Sequence, residues 1–194
     1  RGIEKNYTGK FDFVCLTDQN YKFKENVRSI RFTRSVDQYG WMSLMEWYHP
    51  DLCKGRRVTM GLDTIITGPL DDIFNWDVDK VAVCQDPYHP REICNAMTIV
   101  TPEFCDEIWN YWLENEYQVI RECELLGAPS EMVLLRQLYS HSPRLDTIFK
   151  GRILSYKVHI RDHWERVKDS SIIYFHGVPK PHQIDERWIK ENWI

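Results

Sequence analysis

The chain has six cysteines, Cys15, Cys53, Cys84, Cys94, Cys105 and Cys123, but no Cys-x-x-Cys pair. That argues against a zinc ribbon or a thioredoxin-type site. Several of the six sit inside apolar runs, where Cys behaves as a small hydrophobe. Reduced thiols in a cytoplasmic protein are the simplest account. There is no excess of positive charge either: the formal net charge is -4. Nucleic acid is therefore not an expected partner, since a phosphate backbone demands clustered Lys and Arg. The short basic run Lys54, Arg56 and Arg57 reads as a solvated turn. No apolar run approaches bilayer length and no signal segment opens the chain, so no membrane span is expected. The first residue is Arg1 rather than Met, and residues 1–8 read as the end of a helix. The expectation is a domain truncated at its N-terminus.

What is present is an ordinary globular mix. With 194 residues, 43% of them hydrophobic and 28% charged, the chain suits one α/β domain over residues 1–194 that buries its core without disulfides or structural metal. Residues 11–17 are apolar and β-prone and read as a buried strand. Further strands are expected at 27–32, 57–67 (interrupted at Gly61-Leu62-Asp63), 80–84, 95–100, 153–156 and 171–175. Apolar residues at helical spacing predict a helix over 40–48, ended by Pro50. A short helix follows Gly68-Pro69, with Asp71 and Asp72 in its first turn. Thr101-Pro102-Glu103 is a strong helix start, and that helix runs to about Glu124. A second helix is expected over 130–139, capped by Ser130. Strands alternating with helices predict a mostly parallel central sheet with helices on both faces.

Two stretches carry chemistry. Gly61-Leu62-Asp63-Thr64 lies at a strand end, where ligands sit in open α/β sheets. A carboxylate there suits Mg²⁺ or Mn²⁺ held against a diphosphate. Taken alone, Asp63 reads first as a turn aspartate. The other stretch is Phe175-His176-Gly177-Val178-Pro179-Lys180-Pro181. A His can complete a metal shell. The Gly177 amide can approach phosphate oxygens, and Lys180 can neutralise them. Its plainer reading is a proline-stiffened surface loop.

In order along the chain, FVCLTD, GW…HPDL, LDTIITGPLDDIF, NAM, SYK and FHGVPKP resemble the bacterial and phage family of predicted nucleotide-diphospho-sugar transferases, from about Lys10 to His182. That resemblance implies a GT-A glycosyltransferase fold, here lacking its first strand, and a loop related to that of glycogenin-like enzymes. It implies transfer of a sugar from a nucleotide-diphospho-sugar donor to a saccharide or other hydroxyl acceptor, assisted by Mn²⁺ or Mg²⁺. Asp63 would be the second acid of an Asp-x-Asp metal motif, and His176 would help to bind the metal. Gly177 and Lys180 would hold the diphosphate, Asp18 would lie near the nucleotide, and Asn95 near the donor sugar or acceptor.

The chain departs from the family pattern at several of these positions. Gly61 stands where the first acid is expected, Leu44 where a lysine is, and Ala96 where a serine is. Glu131-Met132 replaces an Asp-Gln pair, and Tyr174 occupies the usual position of the metal histidine. Tyr174 and His176 share a strand face, so His176 would act from the adjacent position. Glu131, or Asp86 in the Gln85-Asp86-Pro87 turn, would be a general base toward an acceptor hydroxyl in an inverting reaction. An acid in a first helical turn is more often electrostatic trim. Trp109 and Trp112, three apart on one helix, read as core rather than as stacking platforms. Two other functions fit the same residues: a domain that binds a sugar nucleotide or glycan without transfer, and a nucleotidyltransferase. The latter would want a Gly-rich basic loop at its first strand.

Overall fold

A computed structural model describes residues 1–33, 40–52, 54–127 and 130–193. In chain order its elements are α1 (Gly2–Asn6), β1 (Phe13–Thr17), β2 (Val27–Arg31), 3₁₀ turns at Gly40–Tyr48 and Pro50–Leu52, β3 (Arg57–Met60), β4 (Thr64–Ile66), α2 (Asp71–Phe74), β5 (Val81–Gln85) and β6 (Ile93–Val100). There follow α3 (Pro102–Leu125), α4 (Met132–Tyr139), α5 (Leu145–Ile148), β7 (Ile153–Ser155), a π-helical turn (Tyr156–Ile160), a 3₁₀ turn (Trp164–Asp169), β8 (Ile172–Tyr174), a 3₁₀ turn (Pro181–Gln183) and α6 (Arg187–Asn192).

These elements form two compact units. The first takes Arg1–Gly9, Val58–Val100 and His141–Ile194; the second takes Lys10–Arg57 and Thr101–Ser140. The fold is mixed α/β. The expected mostly parallel central sheet is not what the described residues show. They form three small sheets, ordered β1-β2, β3-β6-β5 and β4-β8-β7. β1 pairs parallel with β2 and β7 with β8, whereas β4 pairs antiparallel with β8 and β5 with β6. The reason is visible between Gln85 and Ile93. Seven residues, 86–92, join β5 to β6, a length that suits an antiparallel return better than a parallel crossover, which usually takes a dozen or more; β1 and β2, parallel across residues 18–26, are an exception.

In the first unit the β4-β8-β7 sheet is buried on both faces. Ile66, Ile153, Ile172 and Tyr174 face one apolar cluster, with Leu70, Ile73, Ala82, Cys84, Met97 and Ile99. Ile65, Leu154, Ile173 and Phe175 face another, with Tyr156, Ile160 and Ile189. Alternation along each strand thus feeds two cores. This explains why the strands read as unbroken apolar runs. At Gly68 a Cβ would lie 2.6 Å from the Ser170 carbonyl, so only glycine lets these chains approach. Arg152 ties this corner together. Its guanidinium pairs with Asp72 and donates to the Ser171 hydroxyl at 2.9 and 3.1 Å. That charge lowers the Asp72 carboxyl below its usual range. α1 docks through Tyr7, whose ring lies 5.3 Å from that of Phe74.

The second unit is built on α3. The Thr101 hydroxyl accepts the Phe104 amide at 3.2 Å, Pro102 takes the first helical position, and Gly127 stands just past the end at φ 60°. Phe104, Cys105, Ile108, Trp109, Trp112, Val119 and Cys123 form its buried stripe. Trp109 and Trp112 are therefore core residues, as their spacing implies. The ring of Phe104 meets Tyr48 at 5.8 Å and Tyr139 at 4.7 Å. Residues 40–48 form tight 3₁₀ turns rather than the expected α-helix. Neighbouring side chains hold them: buried Glu46 accepts the Thr33 amide and hydroxyl at 3.1 and 2.7 Å, and Arg57 donates to the Trp47 and Pro50 carbonyls. β1 is mostly half-exposed, with Phe13 at 42%, rather than a buried strand.

Candidate functional site

Asp63 and the loop from His176 to Lys180 meet where β4 begins and β8 ends. Thr64 lies opposite Tyr174, and one step further the Phe175 amide donates to the Asp63 carbonyl at 2.8 Å. Antiparallel pairing thus carries residue 63 to the root of the loop that follows Phe175. Lys180 turns back and pairs its ammonium with the Asp63 carboxylate, each side chain about a third exposed (32% and 33%). The loop between is shaped by Gly177 at φ 62°, a left-handed conformation that glycine adopts without penalty. The Lys180 amide donates to the Gln183 side chain at 2.8 Å, which fixes the loop's far end.

His176 is held from the other side. Its Nε2 shares a 2.9 Å hydrogen bond with the hydroxyl of buried Ser155, at the end of β7. Tyr88 meets the imidazole edge-on at 5.2 Å. Tyr88 is in turn set by the Asp86 carboxylate, which accepts the amides of Tyr88 and His89 at 2.9 and 3.0 Å. Burial pulls the His176 pKa down; Lys157 and Lys180 add to this, and Asp86 opposes it. The imidazole is neutral at neutral pH. The Ser155 amide donates to His159 Nδ1 at 3.0 Å. Burial and Arg166 lower the pKa of His159, against Asp146, whose own carboxyl is raised by burial.

Asn95 lies in β6, partly buried, where the pairing with β5 jumps from Val83↔Thr98 to Cys84↔Cys94. Residues 95–97 are extra in that ladder, a bulge of the kind that re-aims side chains. Asp18 and Glu131 belong to the second unit. Asp18 is exposed just after β1, and its carbonyl accepts from Arg31 at 3.1 Å. Glu131 is fully buried at 0% exposure, and its carboxylate accepts the Ser130 hydroxyl at 3.0 Å. Ser130 Oγ also accepts the Met132 amide at 3.2 Å, but the N-cap position of α4 is Glu131, one residue later than expected, and no side chain caps it. Sequence reasoning gave no role to Ser155, Lys157 or Tyr88. Ser155 and Lys157 belong to the Ser-Tyr-Lys run that contributes to the family resemblance, and that run was their only signal.

Asp63 and His176 do not fit a shared Mg²⁺ or Mn²⁺ as they stand. The pleat places Asp63 on the face of Phe175 and Ile65, and His176 on that of Tyr174. The carboxylate is engaged by Lys180 and the imidazole by Ser155. Gly61 supplies no second acid, and the described residues hold no group of three or more His, Cys, Asp or Glu arranged for an ion.

Most of the chain has structural counterparts. The crystal structure of the glycosyltransferase GlyE from Streptococcus pneumoniae TIGR4 superposes with a TM-score of 0.58 at 15% identity, over 87% of this chain and 46% of that one. Its apo form gives 0.57 at 16%, over 87% and 45%. The fold is similar to that of a glycosyltransferase. This chain spans a little under half the length of those structures. No protein-family model and no curated protein matches the sequence. No described helix is long and apolar enough to cross a membrane.

Proposed function

We propose that the loop from His176 to Pro181, with Asp63, receives the diphosphate of a nucleotide-diphospho-sugar, and that the protein transfers the sugar to a saccharide or other hydroxyl acceptor. The observation that carries this reading is the Asp63–Lys180 ion pair. It brings together two segments, 117 residues apart, that both suit a diphosphate, at strand ends of a glycosyltransferase-like fold. As the sugar–oxygen bond breaks, negative charge builds on the leaving diphosphate. An ammonium and a backbone N–H fixed beside it lower the barrier most, because they need not reorganise. In this scheme Asp63 holds Lys180 in place, and the Gly177 amide offers the second donor. Neutral His176, oriented by Ser155, presents an imidazole to the same loop. A cytoplasmic location, read from the cysteines in apolar runs, belongs to the same proposal.

Calorimetric titration with UDP and GDP, with and without Mn²⁺, tests it. Binding of one of them in the micromolar range is expected, about 8 kcal/mol. Asp63→Asn should weaken that binding by releasing Lys180; unchanged affinity in the variant would remove Asp63 from the site. A second reading, binding without transfer, is favoured by Gly61, Leu44 and Met132 at positions where the resembling family has functional side chains. Tight nucleotide binding with no hydrolysis or transfer of any offered sugar would select it.

A further inference from the structure

Lys157 has no part in the scheme above, yet it stands beside the same loop. It lies in the π-helical turn that Ser155 opens, through acceptance of the Val158 amide at 3.4 Å. A Cβ built on Gly177 would lie 3.2 Å from Lys157 Nζ, so the ammonium rests against the backbone of the diphosphate loop. Lys180 reaches that loop from its far end. Lys157 thus meets the loop at Gly177, and Lys180 meets Asp63. Their electrostatic situations differ: Lys180 is matched by Asp63, whereas no described carboxylate pairs with partly buried Lys157. An ammonium that no carboxylate matches gains a charge-assisted partner when an anion arrives. Burial holds the proton affinity of His176 down, and both lysines lower it further.

We propose that Lys157 is a diphosphate-binding residue. Lys157 at Gly177 and Lys180 at the loop's far end bind the two phosphoryl groups between them. Together they supply the positive charge that Asp63 and His176 are not arranged to hold as a metal ion. This rests on the reading of the loop as a diphosphate site, and it adds a consequence: binding survives removal of divalent cations.

The test is calorimetric titration of the full chain with UDP, GDP and inorganic pyrophosphate in EDTA, comparing the unaltered protein with Lys157→Met and Lys157→Arg. Thermal melting of each variant checks the fold, and Lys157→Gln replaces Lys157→Met if that variant melts early. The unaltered protein should bind in EDTA. Lys157→Met should weaken UDP or GDP and pyrophosphate alike by about tenfold or more, the scale of a lost charge-assisted contact, while Lys157→Arg keeps most of the affinity. Equal affinity of Lys157→Met and the unaltered protein would remove Lys157 from the site and leave the diphosphate reading standing. Binding that appears only with Mn²⁺ would overturn the two-lysine account. Failure of the unaltered protein to bind any of the three, with or without Mn²⁺, would overturn the diphosphate reading itself.

Discussion

Gly177 and His176 are neighbours whose substitutions should read out differently. At φ 62° Gly177 occupies a region that costs an L-residue about 1 kcal/mol. Gly177→Ala should therefore lower stability by about 1 kcal/mol in urea denaturation. It should also weaken UDP or GDP binding, because the new methyl group crowds Lys157. His176 gives a pH signature. Its folded pKa lies below that of the unfolded chain. Above the unfolded value neither state takes a proton, and His176 adds no slope. As pH falls below it, the unfolded chain takes a proton that the folded ring refuses, so stability is lost until the folded ring is also protonated. His176→Gln removes this loss, while His159, shifted the same way, is common to both proteins. The stability difference should thus move in favour of the variant as pH falls below about 6.5. A constant difference in denaturation midpoints across that range would show that Lys157 and burial do not depress this histidine.

At the scale of elements, local signals served where one short stretch controls the outcome. Thr101-Pro102-Glu103 gave the start of α3 correctly because the cap, the fixed φ and the acid all act within one turn. Residues 40–48 have helical spacing, yet they form 3₁₀ turns because Glu46 and Trp47 are bonded by Thr33 and Arg57, which lie outside that stretch. Parallel pairing was over-read because an apolar run reports burial on two faces and not strand direction. The β4-β8-β7 sheet shows this burial well, since each successive residue feeds a different core. Ile173, buried at the centre of β8, should be among the costliest positions to truncate. Ile173→Ala is expected to lower stability by about 3 kcal/mol, the usual scale for emptying a packed core site. A loss below about 1 kcal/mol in chemical denaturation would mean that the second apolar cluster collapses around the gap.

For the molecule as a whole, the two units interleave along the chain, which passes between them after Gly9, Arg57, Val100 and Ser140. A chain ended after Ser140 keeps every segment of the second unit but loses β7 and β8 from the first. Its α3 amides should stay protected in hydrogen exchange, while those of Ile65 and Ile66 should lose protection, and UDP and GDP binding should vanish with Lys180. Retained protection at β4 would show that the sheet does not depend on β8. The sequence by itself determined the α/β class and the capped helix α3 with its tryptophans in the core, and it pointed to the two stretches on which the diphosphate proposal rests. Those follow from side-chain chemistry and spacing within a few residues. Tertiary structure alone decided which distant groups meet. It joined Asp63 to Lys180 through the β4–β8 register, set His176 against Ser155 through β7, and placed Lys157 beside Gly177. It also put Asp18 and Glu131 in the other unit. Register and strand direction arise from pairings across the chain, and no local spacing encodes them.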